Sequence, residues 1–250
     1  MNKNKIYIVI CILIMIILSI QNNNTTENFN EYDKIPKIIH QTWKSRDLPD
    51  NFKKWSKIIK DLHPDWEYKL WTDEDNRNFI KKHYSWFLKT YDSYDVNIKR
   101  VDAVRYFYLY HYGGAYIDLD FICLKKLDKL LEKNNAVFGN QLRNVKNIAN
   151  AFMISPPKHN LFKYIINNLE SEKDKHVLHA TGPTFLTEKI ISYTNDLESK
   201  SSRVDIDILP MPLIYTREYN EKPCEINECK KLYPDSYTTT FWTATWLKKN

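Results

Sequence analysis

Residues 105–124 read RYFYLYHYGGAYIDLDFICL, and their reading decides the fold. An apolar run breaks at Gly113-Gly114, and a strand follows that carries Asp118-Leu119-Asp120. Upstream, Ile98, Val101, Val104, Tyr108 and Tyr112 continue the run as one stripe at helical spacing, so a helix over 98–112 is expected. Gly113 suits a left-handed C-cap, and the strand then covers 115–119. Side chains alternate faces along a strand, which sends Asp118 and Asp120 one way and Leu119 into the core. Two carboxylates so placed suit a hard divalent cation with oxygen ligands. Such a cation holds a diphosphate and stabilises the charge it gains as a leaving group. Two aspartates ending a strand in solvent would read the same way, and only their surroundings separate the two readings.

Working outward toward the N-terminus, Asp102 and Arg105 stand three apart and are neighbours on the helix, as an intrahelical ion pair would be. A helix over 51–62 is marked by Phe52, Trp55, Ile58, Ile59 and Leu62, and His63-Pro64 ends it. Residues 66–71 read as a strand. Thr72 caps the next helix, which runs to about His83 with Asp73 and Glu74 in its first turn. A further short helix is expected over 86–94. The β-branched run IPKIIHQTW, 35–43, reads as a first, central strand. Toward the C-terminus the periodicity is weaker. A helix over 124–131, strands over 136–139 and 151–155, a helix over 161–169, a turn at Thr181-Gly182-Pro183, a helix over 185–193 and a strand over 204–209 complete the pattern. Strands alternating with helices indicate an α/β protein whose mainly parallel sheet binds ligands beyond the carboxyl ends of its strands.

The chain has 250 residues, which suits one domain with an appendage. Its 17 Tyr and 7 Trp favour a packed body over disorder, and with 4 Gly in all the adjacent Gly113-Gly114 pair is not filler. The net charge of +6 is dispersed in short clusters such as Lys53-Lys54 and Lys125-Lys126, and no nucleic-acid partner is expected. Residues 6–20 are uninterruptedly apolar behind Lys3 and Lys5, with a polar stretch over 21–30. A bilayer span usually needs roughly 17–25 residues, so a cleaved signal peptide and a buried helix are the alternatives. No small-x-small cleavage site follows, and the preferred reading is a signal anchor with its lysines on the cytosolic side. The organisation is then a cytosolic tip, anchor and stalk over 1–34 and a body over 35–250. Sequons at Asn23 and Asn24 fit a lumenal body. Of the four Cys, Cys224 and Cys229 can pair in an oxidising lumen, while Cys123 packs as a small apolar residue.

The blocks IPKIIHQTWK, WEYKLWTDED and KRVDAVRYFYLYHYGGAYIDLD, then a TGP turn and a tryptophan-rich tail, resemble the DXD-containing sugar transferases of glycosyltransferase family 32. That family includes fungal initiating mannosyltransferases and catalytic subunits of inositol-phosphoceramide mannosyltransferase. The resemblance covers 35–246 and is densest over 35–131. It implies a GT-A nucleotide-sugar-binding fold, a nucleotide-sugar donor with Mn²⁺ or Mg²⁺, and transfer that retains anomeric configuration in membrane-anchored enzymes of the Golgi-like secretory pathway. By motif, Asp118 and Asp120 match the metal and donor carboxylates, and Asp102 and Arg105 the pair contacting donor sugar and ribose. Gln41 and Trp43 fall where the first strand meets the nucleotide; Trp43 stacks on the base or is an ordinary core aromatic. Trp242 and Trp246 belong to the tail expected to close over the donor. Where relatives carry a histidine before the first tail tryptophan, this chain has Phe241. The expected function is a retaining hexosyltransferase, with mannose from GDP-mannose the first donor and UDP-galactose and UDP-N-acetylglucosamine the rivals. The acceptor is a glycan or glycolipid, and a regulatory or complex subunit is a further partner. A membrane-anchored pseudo-enzyme or lectin-like protein keeping the fold is the alternative, with a phosphohydrolase using the same aspartates as a third reading.

Overall fold

The computed structural model describes residues 34–222 and 224–244. The anchor over 6–20, both sequons, Cys11 and Trp246 lie outside the described residues. Among those described, no helix is long and apolar enough to cross a membrane.

The chain alternates as expected. β1 (Ile38–Thr42), α1 (Asp50–Leu62), β2 (Glu67–Trp71) and α2 (Asp73–His83) follow one another. Thr72 caps α2 with a reciprocal box in which its hydroxyl accepts from the Asp75 N–H and the Asp75 carboxylate accepts from the Thr72 N–H. After a single 3-10 turn, α3 (Leu88–Ser93) and α4 (Asn97–Tyr112) lead into β3 (Gly114–Ile117). Next come β4 (Phe121–Cys123), β5 (Ala136–Asn140), β6 (Ile148–Ser155), α5 (Asn160–Glu172), α6 (Val177–Ala180) and α7 (Pro183–Ser199). β7 (Ile206–Leu209), α8 (Ile226–Leu232) and β8 (Thr238–Thr240) end the described chain. The sheet order is β2-β1-β3-β6-β5-β7, and only β6 runs against the others. The sheet is therefore mainly parallel, and β1 is interior to it.

Side-chain alternation splits the core into two layers. Tyr116, Phe138 and Met153 face α4, α5 and α7, whereas Ala115, Ile117, Val137 and Ile154 face Ile59 of α1 and Tyr215. α4 departs from its one-sided stripe: every residue from Asp102 to Leu109 is buried, because sheet and helices enclose it on nearly all sides.

At the turn after α4, Gly113 has φ +67 with ψ −158, an extended left-sided conformation rather than a left-handed helical cap. Gly114 follows at φ +89, and a Cβ there would stand 2.5 Å from the Ile38 carbonyl oxygen. His40 fixes this turn from below. Its Nε2 lies 3.0 Å from the Gly113 carbonyl, and its Nδ1 accepts from the Trp71 indole N–H at 3.1 Å. A donor-only indole and an acceptor-only carbonyl together assign the neutral tautomer with the proton on Nε2. Burial agrees, pushing the imidazole down to about 3.

Two expectations are corrected. The helix foreseen over 124–131 is a 3-10 turn confined to Asp128–Leu131, and just after β4 the Leu124 and Lys125 N–H groups donate to the Tyr237 carbonyl. The strand foreseen through Leu119 stops at Ile117, because Phe121 N–H turns back to the Asp118 carbonyl at 3.2 Å. Cys224 and Cys229 are joined in a disulfide, and Cys123 is free and buried.

Candidate active site

Asp118 and Asp120 sit on the turn between β3 and β4, not along a strand. They nevertheless line one cavity of about 330 Å³ beyond the carboxyl ends of β1 and β3. Leu119 between them is buried against Leu48 and Phe52, and this anchors the turn from the protein side.

Each carboxylate has one oxygen bound by the protein. Asp118 Oδ1 accepts from the Tyr116 hydroxyl at 2.8 Å and lies 3.4 Å from Arg105 Nη1. Asp120 Oδ2 accepts from the Thr243 N–H and hydroxyl, both at 2.9 Å. Their other oxygens have no protein donor among the described residues. Burial, then the charge of Asp118, pushes the Asp120 carboxyl up to about 6, against the pull of the Thr243 donors. Two hard oxygens with unrelieved mutual repulsion fit a divalent cation well. Among the described residues no third His, Cys, Asp or Glu joins them, so the rest of its shell would come from donor phosphates and water.

Behind this pair lies a buried network on α4. Arg105 Nη2 meets Asp102 Oδ1 at 3.0 Å, Nη1 donates to the Asn150 carbonyl at 2.8 Å, and Nε donates to the Val101 carbonyl at 3.3 Å. The guanidinium also lies 4.5 Å from the Tyr116 ring centroid. Nearly all its N–H groups are thus engaged by the protein. Asp102 Oδ2 accepts from the Thr181 hydroxyl at 3.4 Å. Burial raises Asp102 to about 6, with Arg105 pulling it down and Asp118 pushing it up. The Thr181-Gly182-Pro183 turn reaches the site through Thr181, whose carbonyl accepts from Tyr106 at 2.7 Å and from Asn150 at 3.3 Å. Gly182 has an ordinary φ of −88 as N-cap of α7, so close packing on Leu178 rather than backbone conformation favours glycine there.

The remaining expected residues divide. Trp43 lines the cavity while packing edge-on against Phe52 at 5.0 Å, so it is both core aromatic and cavity wall. Trp242 also lines it, stacked on Tyr215 at 5.6 Å with its indole N–H donating to the Arg217 carbonyl. Gln41 does not line it. Its amide donates to the carbonyls of Ile117 and Asp118, while its oxygen accepts from Ser56 and Tyr68. A buried amide with every partner inside the protein holds the aspartate turn from behind. Phe241 does not line the cavity: half-buried in a separate hydrophobic cluster, it stacks on Trp55 at 4.2 Å. Asn150 and Tyr116 escaped the sequence reading, and only Tyr116 left a signal there, two residues before Asp118. Thr243 is readable in sequence only as one of the tail hydroxyls, Thr240, Thr243 and Thr245, each a poor metal ligand; its bond to Asp120 comes from the fold.

Residues 49–137 match the family described as "Glycosyltransferase sugar-binding region containing DXD motif". The chain is 39% identical over 221 residues to inositol phosphoceramide mannosyltransferase 2 of Schizosaccharomyces pombe, covering 85% of this chain and 58% of that protein. It is 44% identical over 162 residues to a mannosyl phosphorylinositol ceramide synthase of Saccharomyces cerevisiae, covering 61% of this chain and 41% of that protein. The chain carries the sugar-binding region of this DXD glycosyltransferase family over residues 49–137. It spans 58% and 41% of the lengths of the two relatives, so their whole activities do not transfer outright. The fold is similar to that of PaToxG glycosyltransferase, at a TM-score of 0.52 and 17% identity, covering 67% of this chain and 73% of that one. The GT-A expectation for the DXD family body thus stands on the fold itself.

Proposed function

We propose that the protein is a metal-dependent, retaining hexosyltransferase that moves mannose from GDP-mannose to an inositol-phosphate glycolipid. One observation carries this reading: residues from α4, the β3–β4 turn, β6, α6 and the C-terminal tail converge on one cavity around a carboxylate pair with two uncommitted oxygens. The mannose and glycolipid assignments rest on what the two fungal relatives are named for.

A divalent cation held by Asp118 and Asp120 would supply positive charge to the departing diphosphate. Tyr116 and Arg105 hold Asp118 in place, and Thr243 holds Asp120, so the pair is preorganised before any ligand arrives. Arg105 works mainly through the aspartates it grips, while Asp102 offers the donor sugar a hydrogen-bond acceptor. Trp43 gives the base an aromatic surface. The only carboxylates lining the cavity among the described residues are Asp102, Asp118 and Asp120. With Asp102 tied to Arg105 and Thr181, none is free as a nucleophile, which favours same-face transfer assisted by the leaving phosphate.

The apolar segment over 6–20 would anchor the body over 35–250 in a type II, single-pass topology with the body in the secretory lumen. The Cys224–Cys229 disulfide supports an oxidising compartment. The test is a panel of nucleotide sugars with purified protein and Mn²⁺. GDP-mannose should be turned over, and Asp118→Ala and Asp120→Ala should each lower the rate at least about a hundredfold, the order of losing one preorganised electrostatic group. Near-normal turnover by either variant, or no turnover of any nucleotide sugar by the wild type, would reject the proposal.

A further inference from the structure

The cavity has two kinds of apolar lining. Phe52, Leu119, Phe121 and Ala149 belong to the hydrophobic cores, and Trp43 and Trp242 pack against them. Four aliphatic residues do not. Ile98 and Val101, on the first turns of α4, and Val177 and Leu178, on α6, line the same cavity, each half-buried. Among the described residues none of the four joins any of the four hydrophobic clusters. Just before α4, Val96 is 41% exposed. Aliphatic side chains without core partners, in a cavity whose floor is charged, form a surface waiting for an apolar ligand.

The donor does not supply one. A nucleoside diphosphate sugar presents a base, phosphates and hydroxyls, for which Trp43, the carboxylate pair and Asp102 are suited. We propose that the wall formed by Ile98, Val101, Val177 and Leu178 is an acceptor subsite, taking the first part of the hydrocarbon of an amphipathic acceptor whose headgroup hydroxyl lies over the aspartates. This rests on the glycolipid reading above and adds where the lipid portion goes. α6 is also joined through Thr181 to Asp102, so the wall and the reacting end are built on one short segment. Continuity with the cavity, rather than exposure alone, therefore selects this occupant.

The test compares two probes with one headgroup: a short-chain inositol phosphoceramide below its micellar concentration, and soluble inositol 1-phosphate. Calorimetry on the full chain with GDP and Mn²⁺ measures both. The wild type should bind the lipid probe at least about tenfold more tightly, as burial of two or three methylenes would give. Val177→Ser with Leu178→Ser should bring that ratio near one while GDP affinity stays the same. Ile98→Ser on α4, separate from the α6 turn, should lower it part-way, and melting temperatures would confirm folding in both variants. An unchanged ratio, or an equal fall in GDP affinity that places the wall in the donor site, overturns the proposal. A wild type that turns over GDP-mannose without preferring the lipid probe rejects this inference alone, and one that turns over no nucleotide sugar rejects the function proposed above.

Discussion

At the scale of single residues, the aspartate turn is held in a costly ionisation state in the absence of ligand. Asp120 has a folded value of about 6 against an ordinary 3.8, so the folded protein binds its proton more tightly than the unfolded chain does. A raised carboxyl gives stability below about pH 4 that is lost as the pH rises through about 6. Asp120→Asn removes that loss and keeps an oxygen for the Thr243 donors. With chelator present, the variant should melt several degrees above wild type at pH 7.5, on the order of 1–2 kcal/mol once solvent screening is allowed for. The advantage should vanish toward pH 4, and the buried histidines cancel because both proteins share them. Its activity should be lost. A melting difference independent of pH would show that the charge of Asp120 is not what the fold strains against.

At the scale of elements, the connection from α4 to β3 fixes where the aspartates fall. Gly113 and Gly114 both have positive φ, and Gly114 presses against the β1 backbone. Gly114→Ala adds a methyl 2.5 Å from the Ile38 oxygen and places an L side chain at φ +89. The conformational cost alone is about 1–3 kcal/mol, and the clash adds to it by parting β1 from β3. Thermal unfolding should show a fall of roughly 5–10 °C for a body of this size. Unchanged melting would mean that the two strands can separate without penalty. Gly182→Ala, at an ordinary φ with a nearest contact of 3.0 Å, should lose less.

At the scale of the whole molecule, the site is closed by its own C-terminal segment. β8 pairs with β4 and delivers Thr243 to Asp120 across 123 positions of sequence. Phe241 is committed to Trp55 and adds no metal ligand. Under the proposed function, two protein carboxylates would make a weak cation site that donor phosphates complete, so metal and nucleotide should bind together. Titration calorimetry should find Mn²⁺ at least about tenfold tighter with GDP present than without it, which is about 1.4 kcal/mol of coupling. Equal affinities in the two titrations would indicate a complete protein-built site and refute coupled binding.

The sequence alone determined what depends on neighbours along the chain. The Thr72 cap, the helical run ending at Gly113, the alternation of strands and helices, and the carboxylate pair after β3 are all local patterns of period and turn chemistry. Asp102 and Arg105 could be seen as neighbours because one helix carries both. Only the tertiary structure decided the rest. The reversal of β6, the β4–β8 pairing and the Asn150 carbonyl on Arg105 depend on backbone groups far apart in sequence, which carry no residue-type signature. Gln41 shows the same limit from the other side. Its position two residues before Trp43, on the same face of the strand, suggested the nucleotide, but Ser56, Tyr68 and the carbonyls of the aspartate turn, groups that only the fold brings to it, claim its amide.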